Sequence, residues 1–243
     1  MFKIIGKVLS VLSIQNFNVT IDGRHILHNI NYTQQLTGKL IGVLGPNGAG
    51  KSTLFKGILG FIRASGDVRL DNKPLIKQLT RCAYIPQKSS LDIEFPITVI
   101  DTISSGLYPV SLIKQRSDNP KVHELMSLME LNDIQHKLIS ELSGGQLQRV
   151  LIARSLMQDK DIYFLDEPFV GIDFKSYEII KDCIFKLKSN HKLIFIVHHD
   201  LNSASDLFDE CILLNKEIIA EGTTKSILTD NNIKQTYFVQ GGI

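Results

Sequence analysis

A glycine-rich stretch beginning at residue 45 is the part of the sequence best suited to chemistry. Residues 45–53 read Gly-Pro-Asn-Gly-Ala-Gly-Lys-Ser-Thr and fit the pattern G-x-x-x-x-G-K-[ST]. Such a loop wraps backbone N–H groups around phosphate oxygens, and a helix starting after it adds partial positive charge. Lys51 would reach the β- and γ-phosphates, and the Ser52 hydroxyl could ligate Mg²⁺. The predicted nucleotide-binding residues are Gly45, Pro46, Asn47, Gly48, Ala49, Gly50, Lys51, Ser52 and Thr53.

Two carboxylates follow an apolar run farther along the chain. Residues 162–165 read Ile-Tyr-Phe-Leu and are followed by Asp166, Glu167 and Pro168. By itself, an Asp-Glu pair after a strand is usually a solvated strand end. Beside a phosphate loop, Asp166 can hold Mg²⁺, directly or through water, and Glu167 can orient and deprotonate an attacking water. The pair therefore predicts hydrolysis of a nucleotide phosphate.

A second glycine-containing segment, Leu-Ser-Gly-Gly-Gln at 142–146, predicts the start of a helix. Ser143 followed three residues later by Gln146 has the form of a capping box. Gly144 and Gly145 in the first turn would weaken a helix that only packs against its neighbours. They favour a close contact between an anion and the N–H groups of that turn.

Strand and helix patterns surround these residues. Residues 40–44 are an apolar run leading into the phosphate loop, and residues 54–59 after it have the pattern of a helix. The runs 162–165 and 193–197 are continuous, as expected for parallel strands covered on both faces. Residues 13–40 indicate an antiparallel sheet. The other expected features are a turn at Asp22-Gly23, strands at 67–70 and 81–86, a hairpin of 211–214 with 217–220, and one or two short helices in the last twenty residues.

The region from about 96 to 158 has a different pattern, which interrupts the alternation of strands and helices. Asn119-Pro120 is typical of a helix start, and apolar residues follow at helical spacing. Met126 and Met129 belong to that apolar face, and we interpret them as core residues. The region is therefore predicted to be helical.

Composition narrows the classes of function. The 243 residues, 43% of them hydrophobic, suffice for one domain with a subdomain, and the net charge of +2 argues against a nucleic-acid partner. Three dispersed cysteines suit a reducing compartment, and no apolar run reaches the length of a transmembrane helix. Lys3 and Lys7 lie among apolar residues without a following cleavage site. A loose N-terminal extension over residues 1–12 is favoured over a weak interfacial helix.

The order of these motifs resembles that of the ABC-type ATPases, over about residues 13 to 240. The Leu-Ser-Gly-Gly-Gln segment lies between the phosphate loop and the Asp-Glu-Pro strand, as in that family. Gln87 resembles the family's Q-loop glutamine, and residues 169–173 resemble its D-loop. His199 resembles its switch histidine.

The resemblance implies an α/β fold: a P-loop, RecA-like core with an N-terminal antiparallel β-subdomain and an inserted helical subdomain. The domain would cover 13–243 with the insertion at about 96–158. ATP with Mg²⁺ would lie between two copies of the chain arranged head to tail. The implied catalytic residues are Glu167, His199, Gln87 and Lys51, and the implied metal-binding residues are Ser52, Gln87 and Asp166. The second copy would contribute Ser143, Gly144, Gly145 and Gln146.

One position departs from the family pattern. The family usually places an aromatic residue against adenine where this chain has Ile21. Stacking of a base on an aromatic ring contributes about 1–3 kcal/mol in nucleic-acid complexes. Ile21 would supply only part of this by apolar contact, so weaker and less selective binding of adenine is expected.

Finer resemblance points to the manganese, zinc and iron uptake branch, with manganese first. It rests on residues 87–90, 95–99, 168–173 and 197–201. A siderophore, haem or cobalamin importer is the nearest alternative. The implied partners are an integral membrane permease and, indirectly, an extracytoplasmic metal-binding protein, which places the chain at the cytoplasmic face of the membrane.

His198-His199-Asp200 could suggest a site for the transported metal. Adjacent residues at a strand end point to opposite sides, however, so we do not interpret the triplet as a metal site. Two other classes fit less well. A non-transport ABC ATPase typically carries two cassettes or long coiled-coil insertions, and a P-loop kinase would lack the Leu-Ser-Gly-Gly-Gln helix.

Overall fold

Two β-sheets share one apolar core with the first helix. The computed structural model describes residues 10–87, 95–107 and 119–238. The strands are β1 (Val11–Ile21), β2 (Arg24–Gln35), β3 (Leu40–Leu44), β4 (Ser65–Leu70), β5 (Lys73–Pro74), β6 (Cys82–Ile85), β7 (Ile162–Asp166), β8 (Leu193–His198), β9 (Glu210–Asn215) and β10 (Glu217–Thr223). The α-helices are α1 (Lys51–Ile58), α2 (Val99–Ser104), α3 (Pro120–Leu128), α4 (Gly144–Leu156), α5 (Phe174–Ser189), α6 (Leu201–Leu207), α7 (Thr224–Ile227) and α8 (Asp230–Tyr237).

The first sheet is antiparallel, with strand order β2-β1-β4-β5. Asp22 and Gly23 join β1 to β2 with φ of 50° and 74°, the conformation of a tight hairpin turn, so the predicted turn is confirmed. Ile14 and Phe17 both face the core although they are three residues apart, because the β1–β2 register shifts between them, where Asn16 has φ of 47°.

This sheet starts earlier than the expected domain boundary. Strand β1 begins at Val11, and Leu12 is fully buried, so both belong to the sheet rather than to a loose extension. The difference arises because Leu12 continues the inward-facing row of β1. Ser10 is described as well, and its hydroxyl donates to Oδ2 of Asp71 at 2.9 Å. Residues 1–9 of the predicted extension lie outside the described part of the chain.

The second sheet has strand order β10-β9-β3-β8-β7-β6. Its strands are parallel except for β10, which pairs antiparallel with β9 in the predicted hairpin. Strands β3, β7 and β8 are buried along their whole length, which confirms the prediction from their continuous apolar runs. Their side chains alternate between the two faces, so the sheet separates two apolar cores.

Helix α1 lies in the core between the two sheets. Its Phe55 ring packs edge-on against Phe164 of β7 at 5.1 Å and Phe195 of β8 at 6.5 Å between centroids. The Phe164 and Phe195 rings stack on each other at 5.2 Å. This aromatic cluster fixes the helix that follows the phosphate loop against the strands that carry the other candidate residues.

The opposite face of the second sheet is covered by helices, including α4 and α5. Between β6 and β7 the described residues form α2, α3, α4 and short turns, with no strand beyond a single bridge between Thr98 and Leu138. Helix α3 begins where predicted, with the Asn119 side chain accepting from the N–H of Lys121 at 2.9 Å. Met126 and Met129 are buried core residues, as predicted. The subdomain boundaries at 96 and 158 stay a prediction.

No helix in the described ranges is long and apolar enough to span a lipid bilayer.

Arg149 ties α4 to the end of α3. Its Nη1 donates to the carbonyl oxygens of Met129 at 2.6 Å and Glu130 at 3.1 Å. Burial lowers the pKa of this guanidinium, although Asp173 and Glu130 oppose the shift. The charge satisfies carbonyl groups at a helix C-terminus, where cations are favoured.

We expect Arg149→Ala to lower the free energy of unfolding by about 2–3 kcal/mol, since hydrogen bonds from a charged group contribute that much. The matched control is Arg154→Ala, which removes the same group from an exposed position of α4. Chemical denaturation measures both variants. Equal unfolding midpoints for the two variants would contradict the role of Arg149.

Candidate active site

The phosphate loop has the predicted strand, loop and helix. Strand β3 ends at Leu44, and α1 begins at Lys51 directly after Gly50. Gly50 has φ of 94°, and a Cβ there would lie 2.6 Å from Cδ2 of Leu27 on β2. Glycine suits this position, because the left-handed conformation would strain a residue with a side chain and a Cβ would collide with the buried Leu27. Asn47 and Gly48 are exposed at the tip of the loop, and Thr53 is half-buried in the first turn of α1.

Lys51 is held inside the loop. Its Nζ donates to the carbonyl oxygens of Gly45 and Pro46, both at 2.8 Å, and the residue is only 6% exposed. Burial lowers the pKa of the amine, while the carboxylates of Glu167 and Asp166 oppose the shift. The loop therefore encloses a positioned amine at the place where the pattern predicts contact with phosphate.

Asp166 lies beside the first turn of α1. Its Oδ1 accepts from the Ser52 hydroxyl at 2.8 Å, and its Oδ2 accepts from the Tyr84 hydroxyl at 3.2 Å. Burial raises the pKa of Asp166, which is 1% exposed, while both hydrogen bonds oppose the shift. Burial also raises the pKa of Tyr84, so its hydroxyl stays a donor. The adjacent hydroxyl and carboxylate of Ser52 and Asp166 are the hard oxygen ligands that suit Mg²⁺.

Glu167 is contacted from two other strand ends. Its Oε2 accepts from Nε2 of Gln87 at 2.5 Å, and its Oε1 lies 2.6 Å from Nε2 of His199. Gln87 follows β6 and His199 follows β8, so three neighbouring strands contribute to one contact. Glu167 has φ of 55°, a left-handed conformation that costs a non-glycine residue about 1–3 kcal/mol. Such strain is typical of functional sites.

The two adjacent histidines point in different directions, as predicted. His198 is buried between the rings of Phe169 and Phe208, and its Nε2 lies 2.8 Å from Oγ of Ser203. Burial lowers the pKa of His198. His199 instead meets Glu167. The pair therefore does not form a joint ligand site.

The Leu-Ser-Gly-Gly-Gln segment starts α4 with the predicted capping box. The N–H of Gln146 donates to Oγ of Ser143 at 3.2 Å, and the N–H of Ser143 donates to Oε1 of Gln146 at 3.0 Å. Ser143 and Gly144 are exposed, whereas Gly145 is buried.

The packing around Gly145 corrects the prediction that the glycines in the first turn of α4 have no packing role. A Cβ at Gly145 would lie 2.4 Å from both Oδ2 of Asp173 and Oγ of Ser176, at the start of α5. Asp173 caps α5 by accepting from the N–H of Ser176 at 2.9 Å. Glycine is therefore needed at 145 so that the two helix starts can approach, and the anion contact predicted for Gly144 and Gly145 stays a prediction.

The structure brings together all six of the predicted catalytic and metal-binding residues. Lys51, Ser52, Asp166, Glu167, Gln87 and His199 meet near the phosphate loop. Gln87 is predicted as both a catalytic and a metal-binding residue, and its side-chain amide donates a hydrogen bond to Glu167. Ile21 is 40% exposed and lies at the tip of the first hairpin. Leu27 of the same hairpin lies beside Gly50 of the phosphate loop.

Sequence reasoning missed Tyr84 as a member of the site. The sequence places it in a strand near Gln87, but only the pairing of β6 with β7 brings its hydroxyl to Asp166.

Known proteins resemble this chain in sequence and in structure. A family model described as ABC transporter matches residues 27–170, more than half of the chain. The manganese transport system ATP-binding protein MntB of Listeria innocua is 47% identical over 84% of this chain and 87% of its own length. The zinc transport system ATP-binding protein TroB of Treponema pallidum is 41% identical over 82% of this chain and 77% of its own length.

A solved ATP-binding cassette of an ABC transporter, MJ1267 in its ADP conformation, has the same fold. It superposes with a TM-score of 0.76 at 23% identity and covers 96% of this chain and 100% of its own. The family match and the two relatives lead to one conclusion: this chain belongs to the ABC transporter family and is one of its ATP-binding, ATP-hydrolysing subunits.

Proposed function

We propose that this subunit drives uptake of a divalent metal ion, manganese first and then zinc or iron, through a separate membrane permease. The observation that carries the catalytic part is the convergence of Gln87 and His199 on Glu167 beside the Ser52–Asp166 pair. The cargo is inferred from relatives named as manganese and zinc transport proteins. The subunit would then lie at the cytoplasmic face of the membrane, with an extracytoplasmic metal-binding protein delivering the ion.

The phosphate groups of ATP are bound by Lys51 and by the N–H groups of the loop and the first turn of α1. Ser52 and Asp166, with Gln87, would hold Mg²⁺, which neutralises charge on the β- and γ-phosphates when bound. Lys51 adds a further positive charge at these phosphates. The loop thus fixes the phosphates near the carboxylate that acts on water.

Glu167 is the general base in this proposal. Its two oxygens already contact Gln87 and His199, and each keeps a further lone pair to accept from water. The water oxygen forms a bond to the γ-phosphorus as its proton passes to Glu167, and the bond from that phosphorus to the ADP oxygen breaks. His199, held at Glu167, would contact the γ-phosphate, as the resemblance to the family implies.

A second copy of the chain would complete each site. Helix α4 begins with the exposed Ser143 and Gly144, so the positive end of its dipole faces outward. An anion held on the phosphate loop of another copy would be stabilised there by Ser143, Gly144, Gly145 and Gln146. ATP would therefore join the two copies, and its hydrolysis would release them.

The transported ion should not bind to this subunit. His198 and His199 point in different directions, and His199 is assigned to the γ-phosphate, so the two histidines offer no joint metal site. Selection of the ion would rest with the permease and the extracytoplasmic protein.

Replacing Glu167 with Gln should trap an ATP-bound dimer. The amide keeps the size of the side chain but cannot accept the proton from water, while the phosphate loop is unchanged. Size-exclusion chromatography with ATP and Mg²⁺ should show a dimer for Glu167→Gln and mainly a monomer for the unaltered chain.

Adding Ser143→Arg should dissolve that dimer by crowding the γ-phosphate from the opposite copy. Ser226→Arg, the same change at an exposed serine of α7, is the control and should leave the dimer intact. Hydrolysis at an unaltered rate in Glu167→Gln would remove Glu167 as the base. A dimer insensitive to ATP and to Ser143→Arg would refute the shared site.

Loss of Lys51 should abolish metal uptake. In cells that express the subunit with its permease and lack other manganese importers, Lys51→Ala should stop accumulation of radioactive manganese, because a phosphate contact is lost. Lys186→Ala, which removes the same charge from an exposed position of α5, should transport normally. Transport of haem or a siderophore in place of free metal ions would contradict the proposed cargo.

Replacing Ile21 with Tyr should tighten ATP binding about tenfold, because a stacked base contributes roughly 1–3 kcal/mol. Titration with ATP and GTP measures affinity and base preference. Ile76→Tyr, the same change at another exposed isoleucine, is the control. If Ile21→Tyr alters neither property, the base is bound elsewhere.

A further inference from the structure

We propose that Tyr84 is a positioning residue for the magnesium site: its hydroxyl holds one oxygen of Asp166 so that the other faces Ser52. The inference rests on the proposed function, in which Ser52 and Asp166 hold Mg²⁺. Tyr84 itself would not touch the metal or the nucleotide.

Strand pairing places Tyr84 at this carboxylate. Tyr84 on β6 is in register with Phe164 on β7, and Asp166 lies two residues beyond Phe164 on the same face. The Tyr84 hydroxyl reaches Oδ2 of Asp166 at 3.2 Å. From this position on β6, the long Tyr84 side chain reaches Asp166 at the end of β7.

The two oxygens of Asp166 have different partners. Ser52 Oγ contacts Oδ1 at 2.8 Å from the side of α1, while Tyr84 contacts Oδ2 from the side of β6. The terminal torsion of an aspartate has broad, shallow minima, so the backbone alone does not fix the carboxylate plane. Two hydrogen bonds from two separate elements do fix it.

The Tyr84 ring is itself supported. Phe61, just after α1, packs against it with centroids 5.5 Å apart and a tilt of 52°. Phe61 is itself 61% exposed, and Tyr84 is half-buried. The hydroxyl is therefore presented to Asp166 from a ring with a defined orientation.

Fixed orientation matters for Mg²⁺ in particular. This ion requires near-ideal octahedral geometry and is bound through only one or two carboxylates. Hydrogen bonds that orient ligating carboxylates typically affect metal affinity by 10–100-fold. Loss of the Tyr84 hydroxyl should therefore weaken the metal-dependent part of nucleotide binding and leave the phosphate contacts of Lys51 unchanged.

The test is Tyr84→Phe, which removes one oxygen and keeps the ring. Binding of a fluorescent ATP analogue is titrated against Mg²⁺ and is repeated in a chelator. We expect the Mg²⁺ concentration for half-maximal binding to rise about tenfold, with unchanged affinity in the chelator and an unchanged unfolding midpoint without nucleotide.

Tyr163→Phe is the matched control. It removes the same atom from the neighbouring strand β7, where the hydroxyl contacts the N–H of Lys160 at 3.2 Å. The Mg²⁺ dependence of this variant should equal that of the unaltered chain.

Two results would overturn the inference. One is an unchanged Mg²⁺ dependence in Tyr84→Phe; the other is an equal loss of affinity with and without Mg²⁺, which indicates a merely structural role. Failure of the proposed function looks different, because the unaltered chain itself would then bind the analogue without any dependence on Mg²⁺.

Discussion

Parallel pairing of β3, β8, β7 and β6 is the constraint on which the site depends. Parallel strands end at the same edge of a sheet, so whatever follows each of them is brought together there. The phosphate loop follows β3, His199 follows β8, and Gln87 lies two residues beyond β6. Glu167 follows the end of β7 and receives contacts from both of its neighbours. Residues separated by about 150 positions in the sequence thus meet without any long side chain having to cross the core.

The second requirement is that the phosphate-loop helix keeps its position relative to that edge. Stacking of Phe164 on Phe195, with Phe55 packed against both, supplies this from inside the core. Aromatic pairs of this geometry contribute about 0.5–1.5 kcal/mol each beyond area burial. Apolar packing therefore fixes the position of the helix. With the helix in place, a single hydrogen bond joins Ser52 to Asp166. Core packing determines position, and polar contacts then refine orientation.

The sequence pattern predicted those features of the fold that depend on a few neighbouring residues. The strand before the loop, the helix after it, the Asp22-Gly23 turn and the Ser143 cap are confirmed because a few neighbouring residues determine each of them. The role of Tyr84 could not be read in this way, since it depends on which strand lies beside β7. The packing role of Gly145 also needs the position of α5. The sequence prediction leaves Leu12 outside the sheet because the preceding segment, in which lysines alternate with apolar residues, obscures the start of the strand pattern.

The surface assigned to a second copy and the candidate base are joined by a short, well-packed path. Gly145 at the start of α4 touches Asp173, whose carboxylate caps α5. Asp173 is only six residues after Glu167, and Phe169 between them packs against Tyr177 at 4.9 Å and His198 at 6.1 Å. A displacement of the first turn of α4 must therefore either open its contact with Asp173 or move the segment that holds Glu167. Because Glu167 is held in a left-handed conformation by its surroundings, small shifts of that segment act on a strained residue. The same packing that positions the proposed dimer surface thus also bears on the segment that carries the candidate base.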